Sequence, residues 1–197
     1  MDRGTLVRKG FHLTSPVWLI WFWMPPDAWI GVPKLAVLLF FLCGALLIEA
    51  ARLIFGFRIP GLRTYESDRL SGYAWGSLGL GFALLFFPGE FVIPTFCGMA
   101  WVDPLCAYSK KHGRYPVLPL AAYVWVATFL MAFVVPLAPY QTTPFVGPLA
   151  GERILLFATI AAGLAILAES PNLRWIDDDF LMTVVPLLGL AGLSRIV

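Results

Sequence analysis

The sequence has few charged residues and few cysteines. Among its 197 residues, 13% are Asp, Glu, Lys or Arg, and the formal net charge is +2. Soluble domains carry roughly 25% charged residues, about twice this share. With 59% hydrophobic residues and a mean hydropathy of +0.80, the composition excludes a disordered chain, a soluble enzyme and a nucleic-acid-binding protein with a basic surface.

The cysteines also exclude two kinds of site. Cys43, Cys97 and Cys106 lie inside apolar runs, their number is odd, and no CxxC motif occurs. This pattern indicates neither a disulfide framework nor a zinc site, and we interpret all three as small buried hydrophobic residues. The first apolar run ends without the small-residue cleavage pattern of a signal peptide, so we expect it to be retained.

Long apolar runs dominate the chain. A helix needs roughly 20 apolar residues to cross a bilayer, and these runs lack the alternation of a membrane β-barrel. The sequence therefore predicts an all-α, polytopic membrane bundle of about seven helices, forming a single domain over residues 1–197. The predicted spans are residues 11–24, 33–55, 71–87, 91–109, 116–135, 152–168 and 180–197.

The charged residues are distributed unevenly between the two ends of these spans. With the N-terminus in the cytoplasm, only Lys34, Arg153 and Arg195 among the 14 bases fall outside. That asymmetry satisfies the positive-inside rule. Most acids and both histidines fall on the cytoplasmic side as well, although the rule concerns only Lys and Arg. We therefore expect a functional site on the cytoplasmic face.

The first span begins with a basic motif, Arg8-Lys9-x-x-His12. On a helix these three side chains share one flank, because residues three and four apart are neighbours. Two cations and an imidazole suit a phosphate-bearing ligand. The alternative is a set of snorkelling anchors at the membrane surface.

The second motif is Glu49-x-x-Arg52, near the end of span two. A charge well inside a span costs roughly 2.5–3.5 kcal/mol, and an ion pair within the helix would lower that cost. A structural and a functional role are both open. The loop that follows carries Glu66 and Arg69, either as part of a site or as solvated residues.

Span three carries Gly72 and Gly76 in small-xxx-small spacing. This spacing is typical of close packing between membrane helices. We therefore predict that both glycines lie at a helix–helix contact, and the alternative is that they cradle a phosphate group.

The most informative residue is Asp103, which precedes Pro104 inside an apolar span. We expect the proline to break the helix at the charge, because such breaks are tolerated where they line a polar cavity. A carboxylate for Mg²⁺ beside Lys110 and Lys111 for phosphate oxygens matches the needs of phosphoryl transfer. The alternative is a helix-end aspartate paired with a lysine.

A second acidic group lies between spans six and seven, where Glu169 precedes Asp177, Asp178 and Asp179. Three aspartates at a helix N-terminus are favoured by the helix dipole, but they repel one another unless a cation lies among them. A divalent metal with oxygen ligands would satisfy them. The alternative is stabilisation by the dipole and solvent alone.

Taken in order, these motifs resemble the membrane family of CTP-dependent lipid kinases. That family includes dolichol kinase, phytol kinase and the CTP-using diacylglycerol kinase, and it is related to phosphatidate cytidylyltransferase. The resemblance covers residues 8 to 190. It rests on the motifs at Arg8–His12, Glu49–Arg52, Glu66–Arg69, Asp103–Ala107, and Glu169 with Asp177–Asp179 before Pro186.

The resemblance implies Mg²⁺-dependent transfer of the γ-phosphoryl group of CTP to the hydroxyl of a membrane lipid alcohol, namely a polyprenol or dolichol, phytol or diacylglycerol. It implies catalytic roles for His12, Glu66 and Asp103, with either His12 or Glu66 orienting or deprotonating the acceptor. The implied nucleotide- and phosphate-binding residues are Arg8, Lys9, Arg69, Lys110 and Lys111. The implied metal ligands are Asp103, Asp177, Asp178 and Asp179, and the supporting residues are Glu49, Arg52 and Glu169.

Other functions are open at this stage. A CTP:lipid-phosphate cytidylyltransferase would use the same metal and cations. A transporter could use the buried acids as an ion relay, although the acids gather on one side. A non-catalytic membrane protein is a further alternative, because the Lys-Ser-x-Glu-Gly element of the kinase family does not occur in the sequence. A homodimer is open as well.

Overall fold

The structure is a computed structural model that describes residues 3–28, 31–140, 151–169, 173 and 175–196. Within these residues the chain is all-helical and contains no strand. The α-helices of this part are α1 (Arg3–Thr14), α2 (Lys34–Phe55), α3 (Gly72–Phe86), α4 (Gly89–Lys111), α5 (Val117–Phe129), α6 (Gly151–Glu169) and α7 (Asp178–Leu193).

Two of these helices continue in a different helical form. Helix α1 passes at Pro16 into a 3₁₀ helix, Ser15–Phe22. Helix α5 continues as a π-helical turn, Leu130–Val134, and a short 3₁₀ turn, Val135–Leu137. A further 3₁₀ turn, Thr64–Glu66, lies in the connection between α2 and α3.

Several helices of the bundle are candidate membrane spans. Among the described residues, four helical segments are long and apolar enough to cross a bilayer: α2, α4, Val117–Leu137 and α6. Helix α3 is apolar but has only 15 residues, which at about 1.5 Å per residue falls short of the hydrocarbon thickness. The predicted all-α class is confirmed, with four candidate membrane-spanning helices among the described residues.

Helix α4 is the centre of the bundle. It packs against α1 with its 3₁₀ continuation, and against α3, α5, α6 and α7. Along most of its length every side is buried, from Phe91 and Val92 to Ala100 and Val102. Helix α2 is the opposite case, since Phe40, Leu47 and Ile54 are 74%, 70% and 75% exposed. An apolar helix with so little protein contact presents its surface to lipid.

The predicted helix break at Asp103-Pro104 is wrong. Helix α4 is continuous from Gly89 to Lys111 and contains both Pro94 and Pro104. Proline removes one backbone hydrogen bond, but the packing of neighbouring helices around Ala100, Val102 and Cys106, all buried, holds the segment helical. Asp103 is therefore presented by an unbroken and rigid helix.

The helices alternate in direction, so one end of the bundle collects most of the charged groups. The C-terminal ends of α2, α4 and α6 meet the N-terminal ends of α3 and α7 at this end, as the contacts of Arg52 with the start of α3 and of Lys110 with Glu169 show. Arg174, one of the bases predicted on this side, lies outside the described residues. We call this the charged end of the bundle.

Candidate active site

Three helices meet at an acidic cluster near the charged end. His12 of α1, Asp103 of α4 and Asp179 of α7 each place one potential ligand atom within 4.8 Å of the others. His12 Nε2 lies 3.4 Å from Asp179 Oδ2. Arg8, one helical turn before His12, places its Nη2 atom 3.8 Å from the same oxygen. The predicted common flank of Arg8 and His12 therefore faces the aspartates.

The three consecutive aspartates form the start of α7. Asp177 is the N-cap residue, and its Oδ1 accepts a hydrogen bond of 3.1 Å from the backbone N–H of Asp179. The ligand oxygens of Asp177, Asp178 and Asp179 also lie within 4.8 Å of one another. Asp179 thus belongs to both groups and joins them into one site.

Arg63 is a site residue that the sequence reasoning did not assign. Its Nη1 atom lies 3.6 Å from Asp177 Oδ2 and 3.9 Å from Asp178 Oδ1. Arg63 opens the same charged loop that carries Glu66, and that proximity in sequence was the available signal. The folding of this loop against α7 was not visible in the sequence.

Burial and mutual repulsion make the negative charge of this site costly. Asp179 is only 4% exposed, and its Oδ1 atom has no hydrogen-bond partner among the described residues. Burial, followed by the charges of Asp177 and Asp103, raises the pKa of Asp179 well above its usual range. Burial and Asp177 raise the pKa of Asp178 in the same direction. A buried carboxylate is stabilised by an ion pair, by protonation or by coordination to a metal.

Glu66 is buried, and backbone groups hold it in place. Its Oε2 accepts a hydrogen bond of 2.9 Å from the N–H of Arg63, and its Oε1 accepts one of 3.3 Å from the N–H of Gly72. Arg8 Nη1 lies 3.7 Å from Oε1. Glu66 therefore connects the charged loop and the start of α3 to α1.

The Glu49–Arg52 pair supports this loop from behind. Arg52 binds Glu49 through two hydrogen bonds of 3.0 and 2.7 Å, and it donates to the carbonyl groups of Glu66 and Arg69 at 2.8 and 2.5 Å. Glu49 accepts bonds from the N–H and the hydroxyl of Ser71 at 2.6 and 3.0 Å. Beyond the bonds within the pair, all of these contacts are with the loop and the start of α3, so the pair has a structural role and positions the residues that line the site.

The predicted phosphate-binding residues lie in different places. Lys110 contacts Glu169 at 2.6 Å, and the Tyr115 hydroxyl donates to the same carboxylate at 2.9 Å. This arrangement joins the ends of α4 and α6. Arg69 stacks its guanidinium 4.1 Å above the ring of Tyr65. The side chains of Lys9 and Lys111 are exposed.

Two cavities border the acidic cluster. The first, of about 580 Å³, runs from Arg8, Glu66 and Asp179 to Trp18, Phe96 and Met99. We call it the apolar groove. The second, of about 870 Å³, is lined by Arg63, Arg69, Asp177 and Asp178 together with Trp75 and Trp175. We call it the charged cavity, and Glu66 lines both.

The two glycines of the predicted packing motif line the apolar groove. A Cβ atom on Gly76 would meet no described atom within 4 Å. One on Gly72 would meet the side chains of Asp177, Glu66 and Arg8 at 3.3–3.6 Å. The packing prediction is therefore wrong for Gly76, whereas Gly72 lies in contact with side chains of α1 and of the α7 N-cap.

Comparison with known proteins gives no assignment. No protein-family model matches the chain, and no curated protein or solved structure shows significant similarity to it. The function is therefore argued from the site.

Proposed function

We propose that this protein is an integral-membrane lipid kinase that transfers the γ-phosphoryl group of CTP to the hydroxyl of a membrane lipid alcohol. The observation that carries the proposal is the position of the acidic cluster between the apolar groove and the charged cavity. A lipid and a nucleotide differ in polarity, and they must meet at a single point to react. The apolar groove suits the first substrate, and the charged cavity suits the second.

The donor set suits Mg²⁺, which prefers oxygen ligands and few protein carboxylates. Asp103 and Asp179, with Asp177 and Asp178, would hold the ion. The unpartnered Oδ1 atom of the buried Asp179 supports this assignment. When bound, the ion supplies positive charge to the phosphate oxygens of the nucleotide.

The basic residues would neutralise the remaining phosphate charge. Arg63 and Arg69 line the charged cavity, and Arg8 borders the cluster from the side of the groove. Lys110 and Lys111, at the end of α4, would raise the local concentration of the anionic nucleotide. Catalysis would rest on positioning and charge stabilisation, as is general for phosphoryl transfer.

In the reaction, the acceptor oxygen forms a bond to the γ-phosphorus while the bond to the β–γ bridging oxygen breaks. CDP leaves, and the hydroxyl proton passes to a base of the enzyme. We assign this base to His12, whose Nε2 atom faces the cluster at Asp179. Glu66 is less suited, because both of its oxygens accept backbone hydrogen bonds, and its role would be to orient Arg8 and the loop.

The site would face the cytoplasm, where the nucleotide is present. In this arrangement the N-terminus is cytoplasmic and the chain crosses the membrane about seven times. The excess of Lys and Arg at the charged end supports this orientation under the positive-inside rule.

The deciding experiment uses purified protein in liposomes with Mg²⁺, a lipid alcohol, and CTP labelled at the α or the γ phosphate. We expect label to enter lipid from the γ position alone. Entry from the α position, with a lipid phosphate as the acceptor, would make the protein a cytidylyltransferase. No entry from CTP or from γ-labelled ATP would overturn the kinase proposal in favour of a carrier or a non-catalytic protein.

A matched pair of variants tests the metal assignment. Asp103→Asn should lower phosphoryl transfer by about 10²–10³-fold, the usual effect of removing one charge-stabilising group. Asp68→Asn, at an exposed position of the loop between α2 and α3, should keep normal activity. Full activity of Asp103→Asn would remove this residue from the metal site.

A further inference from the structure

The apolar groove has a defined construction. It lies between α1 with its 3₁₀ continuation, α3 and α4, and its far end is formed by Trp18, Leu80, Phe96 and Met99. Its lining is mainly apolar, with a few polar side chains at one end, as is usual for small-molecule sites. The groove therefore has the lining of a ligand site for a hydrocarbon.

One wall of the groove is a single flank of α3. Gly72, Gly76 and Leu80 follow one another at intervals of four residues, which places them along the same side of the helix. Gly76 leaves open space, since a Cβ atom there would meet no described atom within 4 Å. The glycines on the other sides of α3 differ, because a Cβ on Gly79 or Gly81 would contact Phe180 or Leu42 at 3.4 and 3.0 Å. The missing side chain of Gly76 thus leaves space in the groove, whereas Gly79 and Gly81 pack against neighbouring side chains.

The polar end of the groove indicates which kind of head group its ligand carries. Asp179, 4% exposed and with an unpartnered oxygen, borders the groove together with His12 and Glu66. A ligand that fills the groove must end in a small polar group that contacts these side chains. A hydroxyl meets this requirement, whereas a second hydrocarbon chain beside it would contact charged groups.

A second apolar groove lies elsewhere in the bundle and does not extend the first. It is lined by Trp23, Trp101 and Trp125 among other residues, and its lining has no residue in common with the groove at the cluster. Of these two apolar grooves, only the first reaches the acidic cluster.

From these observations we propose that the apolar groove binds the acceptor as a lipid alcohol with a single hydrocarbon chain, and that Gly76 sets the width available to that chain. This inference rests on the proposed lipid kinase function and narrows its acceptor class. Diacylglycerol, with two chains next to its hydroxyl, is then a poor acceptor.

Binding can be tested without catalysis. Protein in liposomes is irradiated with a long-chain primary alcohol that carries a diazirine in the middle of its chain, and the adducts are located by peptide mapping. We expect adducts on the segments that contain Trp18 and Phe96–Met99, lost on addition of unlabelled geranylgeraniol and retained with diacylglycerol. Adducts spread over lipid-facing surfaces such as α2, without competition, would overturn the inference. Specific adducts in a protein that transfers no phosphate would contradict the kinase function alone.

The width of the groove is tested by Gly76→Ala and Gly76→Leu, with Gly163→Leu as the matched control. A Cβ on Gly163 of α6 also meets no described atom within 4 Å, and Gly163 does not line the groove. One excess methylene in an apolar pocket lowers the rate by about 10–200-fold. We expect such a loss for geranylgeraniol in Gly76→Leu, a smaller loss in Gly76→Ala, and little loss for a five-carbon alcohol.

The pattern of losses separates steric blocking from damage to the fold. An equal loss for the long and the short alcohol in Gly76→Leu would contradict the inference, and so would full activity with the long one. If Gly76→Leu does not fold correctly, its thermal midpoint will lie below that of Gly163→Leu. The smaller Gly76→Ala variant then decides, by the ratio of its rates with the long and the short alcohol.

Discussion

At the scale of single residues, Asp179 combines a high cost of burial with a central position. Around the cluster lie the five acids Glu66, Asp103, Asp177, Asp178 and Asp179, against the cations Arg8 and Arg63 and the imidazole of His12. Negative charge is therefore in excess when no ion is bound. Such an arrangement stabilises a complex with a cation at the expense of the free protein.

The variant Asp179→Asn tests this reading. In Mg²⁺-free buffer it should raise the free energy of unfolding by about 1–3 kcal/mol, because a neutral amide is less costly to bury beside the other acids than a carboxylate whose Oδ1 atom has no partner among the described residues. The same variant should lose phosphoryl transfer. Thermal unfolding in detergent, measured with and without Mg²⁺, provides the comparison, and Mg²⁺ should stabilise the wild type more than the variant. A less stable variant in Mg²⁺-free buffer would contradict the excess of negative charge.

Arg52 shows how a single buried cation can organise a loop. It is 2% exposed, and it binds Glu49 and the carbonyl groups of Glu66 and Arg69. Since α2 is otherwise exposed along most of its surface, this residue makes the principal polar attachment between α2 and the charged loop.

Arg52→Met should therefore destabilise the protein by about 3–5 kcal/mol, because it leaves Glu49 as a buried charge without its partner. The double variant Glu49→Gln with Arg52→Met should recover part of this loss. Arg58→Met, at an exposed position, is the control and should be neutral. Thermal unfolding in detergent measures all three, and equal midpoints for Arg52→Met and Arg58→Met would refute the supporting role.

At the scale of elements, α4 carries Asp103 to the site because it stays helical through two prolines. Its contact with α5 depends on Gly98, since a Cβ atom there would overlap the ring of Tyr123. That ring is fully buried, and its hydroxyl donates to the carbonyl of Thr95 at 3.1 Å.

Gly98→Ala should destabilise the fold by about 1–3 kcal/mol, the usual effect of overpacking a core. Gly163→Ala, where the added methyl group meets open space, should be neutral or stabilising by helix propensity. The difference between the two thermal midpoints is the measurement. A Gly98→Ala protein as stable as Gly163→Ala would show that α4 and α5 are not in close contact.

At the scale of the whole molecule, the charged end should lie on one side of the membrane. In a background without Cys43, Cys97 and Cys106, the variants Asp68→Cys and Lys111→Cys should react with a membrane-impermeant maleimide from the cytoplasmic side. Glu152→Cys, at the other end of α6, should react only from the opposite side. Inside-out and right-side-out vesicles provide the two directions. Reaction of positions 68 and 111 from different sides would exclude a common site.

The sequence alone determined the class of the protein and the place of its helices. Each of the seven apolar runs overlaps a helical segment of the structure, and four of these segments are long and apolar enough to cross a bilayer, because hydrophobic length is a local property of the chain. The N-terminal cap of α7 at Asp177 and the common flank of Arg8 and His12 follow from local rules as well.

Tertiary structure alone decided which charged residues meet. The continuity of α4 through Pro104, the contact of Arg63 with Asp177 and Asp178, the engagement of Lys110 by Glu169, and the open space beside Gly76 all depend on residues distant in sequence. Rules based on local sequence failed at Pro104 and at Gly76. Neighbouring helices pack around Pro104 and keep α4 helical, whereas no described helix packs against Gly76, which faces the apolar groove. The helical periodicity of the sequence predicts the face of its own helix on which a side chain lies. Only the packing of the bundle determines which residues that side chain contacts.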